Sequence, residues 1–256
     1  MSYREVLQRR ITSSGSRLCV GIDPRPDRHP GGVSEIQEFV TRAVEETAEF
    51  AGAFKPNIAY FEALGVPGYQ LLEDLIARMR QTKVPIILDA KRGDIGTTQA
   101  HYAQAYFDLW DVDAVTLSPY MGYDSVEPFL GHPDKGVYLL GVTSNPGAAD
   151  LETRALADGR EVFELVAEMA SRSPEEIGLV VGLTNASADV LAKIPDVPLL
   201  IPGLGAQGGD LDALAGESRS APSVINVSRG ILYAEPELTF AQKAKNYANQ
   251  IADVLG

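Results

Sequence analysis

Pro85-Ile86-Ile87-Leu88-Asp89-Ala90-Lys91-Arg92-Gly93-Asp94-Ile95-Gly96-Thr97-Thr98 is the stretch on which the reading of this chain turns. It opens as a short continuous apolar run and ends in charges, glycines and hydroxyls, as a buried strand does where its C-terminal end meets solvent. Seven further runs rich in Val, Ile and Leu surround it: Leu18 to Ile22, Ala53 to Lys55, Ala114 to Leu117, Val137 to Val142, Leu179 to Leu183, Pro198 to Ile201 and Val224 to Val227. Most are continuous rather than alternating, which fits strands covered on both faces in a parallel sheet. Between them lie segments of helical spacing, such as Ile36, Phe39, Val40, Ala43, Val44 and Thr47 before the second run. Ser34, Ser187 and Thr97 or Thr98 are the expected helix caps.

A strand followed by a helix, repeated eight times over 256 residues, predicts the α/β class and a (β/α)8 TIM barrel. A doubly wound open sheet is the alternative, but eight strands preceded by a helix at Tyr3 to Ile11 fit a closed barrel better. No Gly/Ser linker or low-complexity tract divides the chain, so residues 1–256 are expected to form one barrel domain with a short N-terminal helix.

The formal charge of -13 argues against a broad contact with a nucleic-acid backbone, which depends on clustered Lys and Arg. Any anionic substrate must therefore meet local positive charge. Cys19 is the only cysteine, which excludes an intrachain disulfide or a multi-cysteine metal site and fits a reducing compartment. Met1 to Arg17 is polar and charged, and no stretch approaches the ~18 apolar residues of a membrane span, so a cytoplasmic protein without membrane contact is expected. His29, His101 and His132 are scattered and share no ligand spacing, so no metal site is expected. Tyr102 and Tyr106, four apart, read as packing residues.

Asp89 and Lys91 are two apart and so share one side of the third strand. An isolated Asp-x-Lys is often an ion pair that satisfies itself. Here Lys55 ends the second run, Asn57 follows it, and Asp23 ends the first, so neighbouring strands bring Asp, Lys, Asp and Lys to one rim. Functional loops of such barrels follow the strands, and phosphate commonly sits beyond strands seven and eight. Pro202-Gly203-Leu204-Gly205-Ala206-Gln207-Gly208-Gly209 and Asn226-Val227-Ser228-Arg229-Gly230 occupy those two places. Arg229 offers a planar fork for phosphate oxygens, and the glycines admit close backbone approach. Thr143-Ser144-Asn145-Pro146-Gly147 reads equally as a turn or as a segment whose Ser144 meets the edge of a flat polar ring.

With those residues in place, the sequence resembles the orotidine 5'-phosphate decarboxylase family, whose signature is Asp-x-Lys-x-x-Asp-Ile-x-x-Thr. Asp89, Lys91, Asp94, Ile95 and Thr98 match it in full. The similarity extends from Gly21-Ile22-Asp23-Pro24 through Phe54-Lys55-Pro56-Asn57 and the Ser144 segment to Ser228-Arg229, in the form of the longer bacterial branch. The resemblance implies decarboxylation of orotidine 5'-monophosphate to uridine 5'-monophosphate in de novo pyrimidine biosynthesis, without a cofactor. It implies Lys91 as proton donor to C6, Asp89 beside the substrate carboxylate, and Lys55 orienting Asp89 and touching the ribose. Asp23 would bind ribose hydroxyls, Ser144 and Gln207 the pyrimidine, Gln207 and Arg229 the phosphate with Ser228 in the same loop, and Pro202 would line the pocket near the base. Asp94, Ile95 and Thr98 resemble residues that cross a homodimer interface into a shared site. One departure is the stretch from Gln207 to Arg229, which is longer than in compact family members and leaves the lid residues unassigned. The rival is a magnesium-dependent barrel enzyme of the same superfamily, a keto-gulonate-phosphate decarboxylase or hexulose-phosphate synthase. A non-catalytic nucleotide-binding barrel would be expected to lack the Lys/Asp array.

Overall fold

The computed structural model describes residues 1–185, 187–204, 211–214 and 219–255. Eight strands run β1 Leu18–Ile22, β2 Ala53–Pro56, β3 Ile87–Arg92, β4 Ala114–Leu117, β5 Gly136–Val142, β6 Ile177–Val181, β7 Leu199–Pro202 and β8 Ser223–Val227. The helices are α1 Tyr3–Ser14, α2 Val33–Thr47, α3 Ile58–Glu62, α4 Val66–Gln81, α5 Gly96–Ala103, α6 Val162–Ala170, α7 Ala188–Ala192, α8 Arg229–Leu232 and α9 Phe240–Leu255. All strand pairs are parallel, in the order β2-β1-β8-β7-β6-β5-β4-β3. Bridges from Phe54 to Ile86 and from Asn57 to Asp89 join β2 to β3 and close the sheet. The fold is the expected (β/α)8 TIM barrel.

Hydrophobic burial sorts into two cores. The outer one lies between the strands and the surrounding helices and takes in the α2 stripe Ile36, Val40, Ala43 and Val44. The inner one receives one side chain from every strand: Cys19, Ala53, Ile87, Ala114, Tyr138, Val180, Leu200 and Val224. This two-sided burial is why the runs are continuous in sequence. Helix α1 plugs the floor of the barrel with Tyr3, Leu7 and Ile11, which recur every four residues on one face. A capping box between Ser2 and Glu5 starts it, and Gly15 in the left-handed conformation ends it. Gly136 on β5 is glycine for a steric reason, because a Cβ there would stand 2.4 Å from the Tyr3 ring.

Several local expectations are corrected. The second helix starts at Val33, placing Ser34 inside it. Gly32 takes the N-cap position without a side-chain cap, and the Glu35 carboxylate accepts the Gly31 N–H just ahead of it. Ser187 does cap α7, through Val190 N–H. Neither Thr97 nor Thr98 caps α5, since the helix starts at Gly96 with Ile95 at the N-cap and both threonines lie inside it; Asp94 Oδ1 accepts the N–H of Ile95 and Gln99 Oε1 that of Asp94 just ahead. The segment from β4 to β5 carries three short 3₁₀ turns at 119–129 in place of a helix, interrupted by Pro119, Gly122 and Pro128. Strand β3 continues past Leu88 to Arg92, with its pairing to β4 shifted between those residues.

Candidate active site

Two residues beyond the inner apolar layer come Gly21, Lys55, Asp89, Thr116, Leu140, Pro202 and Asn226 on seven strands, and Gly182 just past the end of β6. Period-two alternation keeps these positions on the inner face, so the interior changes from apolar to charged within one step toward the C-terminal end. A cavity of about 210 Å³ opens there, lined among others by Lys55, Asp89, Lys91, Thr116, Ser144 and Pro202. A wider cleft of about 830 Å³ lies on the outer wall between α2 and the segment from Leu232 to Lys243 and holds none of them.

Asp89 is the centre of the array. Lys55 Nζ donates to its Oδ2 at 2.7 Å, and Lys91 Nζ donates to its Oδ1 at 2.5 Å. Thr116 Oγ1 donates to the same Oδ1 at 3.0 Å. Burial alone would push the Asp89 carboxyl up, but the two ammoniums outweigh it and hold the group well below the ordinary carboxylate range. Burial would lower Lys55, yet Asp89 and then Asp23 outweigh it and raise the ammonium well above its ordinary value. Both groups are therefore charged at neutral pH although each is at most 8% exposed. Lys91 is about half exposed, with its ammonium at the cavity wall. Its backbone has φ 48°, a left-handed value that costs a non-glycine residue on the order of 1–3 kcal/mol and that points to functional constraint.

Surrounding contacts hold this geometry. Arg92 Nη2 donates to Glu62 Oε1 at 2.8 Å and its Nε to the Tyr106 hydroxyl at 2.7 Å, while its guanidinium lies 5.1 Å from the Tyr102 ring centroid. Glu62 belongs to α3, so the contact ties the strand end carrying Lys91 to the helix that follows Lys55. Tyr102 and Tyr106 do pack, as their spacing implies, and they also hold this arginine. The Thr143–Asn145 segment is pinned by Glu152, which accepts from Thr143 N at 2.7 Å, and by Asn185 Nδ2, which donates to Thr143 O at 2.6 Å.

Of the residues singled out in the sequence, Lys55, Asp89, Lys91, Ser144 and Pro202 line one cavity. Asp23 does not line it, but its carboxylate acts on Lys55. Among the described residues, Asp23 Oδ1, Asn226 Oδ1 and Ser228 Oγ are buried without a hydrogen-bond partner, where β1 and β8 reach the mouth. Arg229 is exposed at the first turn of α8. Asp94 is partly buried, and Ile95 and Thr98 are exposed, none of them lining this cavity. Gln207 lies outside the described residues, as does the 215–218 part of the longer stretch. Thr116, Glu152 and Asn185 carry no sequence signal of a site role by themselves, and Arg92 and Asn226 stand in the quoted stretches without a role of their own. The one feature that sets Thr116 apart is its place as the only hydroxyl in the run Ala114 to Leu117.

A family profile described as orotidine 5'-phosphate decarboxylase / HUMPS family matches residues 16–244. The chain belongs to that family. Among curated relatives, the orotidine 5'-phosphate decarboxylase of Roseiflexus castenholzii is 43% identical over 267 residues, covering 100% of this chain and 97% of the relative. That of Paracidovorax citrulli is 45% identical over 271 residues, covering 100% and 98%. The solved structure of Leishmania donovani OMP decarboxylase superposes with a TM-score of 0.87 at 37% identity, covering 100% of this chain and 99% of that one. Membership of the orotidine 5'-phosphate decarboxylase / HUMPS family thus rests on nearly the whole barrel as well as on the Asp89–Thr98 signature.

Proposed function

We propose that this chain removes the carboxylate of orotidine 5'-monophosphate to give uridine 5'-monophosphate, a step of de novo pyrimidine synthesis, without a cofactor. The observation that carries the reading is one buried carboxylate, Asp89, held ionised between two ammoniums at the mouth of the barrel. Breaking the C6–carboxylate bond leaves its electron pair on C6, in the ring plane, where the ring carbonyls cannot readily delocalise it. A cation about 4 Å away at an effective dielectric near 20 stabilises such a charge by roughly 4 kcal/mol, about a thousandfold in rate. Lys91 supplies that cation and then its proton, which ends on C6. Asp89 holds the Lys91 ammonium in place and stands beside the departing carboxylate, and Lys55 keeps Asp89 ionised. Further stabilisation comes from a preorganised, closed site and from phosphate binding.

The remaining roles are assigned on the same footing. Asp23 takes ribose hydroxyls and Ser228 a phosphate oxygen, which would give their buried, unpartnered oxygens hydrogen-bonding partners. Ser144, on its pinned segment, and Gln207 meet the pyrimidine, Pro202 flanks the base, and Arg229 with Gln207 grips the phosphate. Asp94, Ile95 and Thr98 serve the site of a second copy in a homodimer. Support for a covering partner comes from large apolar side chains left exposed at the ends of neighbouring strands: Ile95 at 59%, Tyr120 at 79% and Met121 at 50%. No described helix is long and apolar enough to cross a membrane. A cytoplasmic, reducing setting suits the buried Cys19 thiol, and one barrel domain spans residues 1–256.

Addition of orotidine 5'-monophosphate to the purified chain, followed by ultraviolet absorbance, tests the proposal. Steady loss of substrate absorbance with formation of uridine 5'-monophosphate is expected, and an unchanged spectrum overturns it. The magnesium-dependent rival needs carboxylate oxygens free to meet a metal, whereas both oxygens of Asp89 accept from lysine. Full activity is expected after exhaustive chelation, and activity that returns only with magnesium would favour the rival.

A further inference from the structure

We infer that Thr116 is a positioning residue of this active site, acting through a hydroxyl whose hydrogen-bond direction the fold dictates. Its Oγ1 accepts the N–H of Ala90 at 3.0 Å and that of Lys91 at 2.9 Å. A threonine hydroxyl has two lone pairs and one proton. With both lone pairs engaged by successive backbone N–H groups, the proton has one remaining use, donation to Asp89 Oδ1 at 3.0 Å. Thr116 is 1% exposed, so water does not compete for any of the three bonds.

Two consequences follow from this geometry. The first is backbone placement. Two consecutive N–H groups converge on one oxygen where the β3 to β4 pairing shifts between Leu88 and Arg92 and where Lys91 takes φ 48°. A regular strand points consecutive N–H groups to opposite sides, so the hydroxyl takes the place of a ladder acceptor at this irregularity. It thereby fixes the chain from which the Lys91 side chain departs. The second is carboxylate placement. Asp89 Oδ1 receives Lys91 and Thr116 while Oδ2 receives Lys55, so the carboxylate plane is set from three directions. Without Thr116, Asp89 retains both ammoniums but loses the donor that two backbone N–H groups hold in place.

The inference rests on the decarboxylase reading, and its test separates the two. Wild type, Thr116→Val and Thr116→Ser are compared for kcat and KM with orotidine 5'-monophosphate and for binding of uridine 5'-monophosphate by calorimetry, with sites counted from the binding stoichiometry. Valine keeps the shape, deletes the donor and leaves two N–H groups unpaired. Loss of one hydrogen bond to a charged group predicts a fall in kcat per bound site of about tenfold to a hundredfold. KM and nucleotide affinity should stay within about threefold, because the nucleotide-binding groups are untouched. Serine keeps the hydroxyl and should restore kcat to within about threefold of wild type. A merely structural threonine would lower the number of binding sites and leave kcat per site unchanged. Should Thr116→Val fold poorly, Thr116→Ala is read in the same way against Thr116→Ser. Wild-type kcat per site in the valine or alanine variant, or a serine variant as slow as valine, overturns the role of Thr116 alone. Absence of turnover in the wild type overturns the decarboxylase reading and this inference together.

Discussion

At its floor the barrel interior holds Cys19, Ala53, Ile87, Ala114, Tyr138, Val180, Leu200 and Val224, sealed by α1, whereas one step along the same strands it holds Lys55, Asp89, Thr116 and Asn226. The floor contains polar atoms too, but they are neutral and turned inward. Tyr3 and Tyr138 donate and accept between their own hydroxyls at 3.1 Å, with rings edge to face at 5.8 Å. Burial pushes the Cys19 thiol up to about 12, with Lys55 partly offsetting it, so the thiol stays protonated. The rim does the reverse and keeps charges ionised by facing them with opposite charges. Stability is thereby built at one end and chemistry at the other, the division characteristic of this fold.

The largest expected effect breaks the rim and spares the floor. Lys91→Ala should lower kcat at least about a thousandfold, from the charge interaction estimated above, while the melting temperature and uridine 5'-monophosphate binding change little because the side chain is half exposed. Appreciable turnover would remove Lys91 from the proton-donor role. A sharper version asks whose rim each residue serves. Lys91→Ala and Asp94→Ala dimers should each be nearly inactive. After subunit exchange half the dimers are mixed, and each of those has one site with neither lesion, so activity should return to roughly a quarter of wild type. No recovery after verified exchange would place Asp94 in its own chain's site or make the active unit a monomer.

The floor is tested next. Tyr3→Ala should cost about 3–5 kcal/mol of stability, measured by denaturant unfolding, through the cavity it leaves, with kcat per folded site unchanged. A large loss of kcat per site would show that floor and rim are coupled. The smallest effect is Tyr3→Phe, which deletes one neutral hydrogen bond and should cost about 1 kcal/mol without touching KM or kcat. A cost near that of Tyr3→Ala would mean that the hydroxyl pair, rather than the ring, holds the floor.

Much of this division was legible beforehand. Continuous apolar runs gave the strands, because both faces of each strand are buried, and the Asp-x-Lys spacing put Asp89 and Lys91 together. What escaped notice depended on partners distant in the chain. Thr116 looks like an ordinary β-branched strand residue until the shift in β3 brings the Ala90 and Lys91 N–H groups to it. Arg92 reads as one more charge in a charged loop, yet its partners are 14 and 30 residues away. Ser34 carried a local capping signal, but the helix begins before it, with Gly32 at the N-cap. Apolar periodicity reports burial directly, whereas a polar side chain reveals its use only through the group it meets.

Helix α1 has a consequence for how the chain is made. Arg10 bonds early, to the carbonyls of Ala48 and Ala51, but other partners come late in the sequence: Ser2 donates to Glu175 Oε2, and Arg4 reaches Asp196 and Ser220. Tyr3 meets Tyr138, and the floor it covers includes Leu200 and Val224. Helix α1 is thus made before much of the floor that receives it, and at about 5–20 residues per second its apolar face waits on the order of 10–40 s for β7 and β8 to complete that floor. Nascent chains arrested before β7 should show Tyr3, Leu7 and Ile11 open to proteases or bound by chaperones, and protection of α1 at that length would mean that the first six strands already hold it.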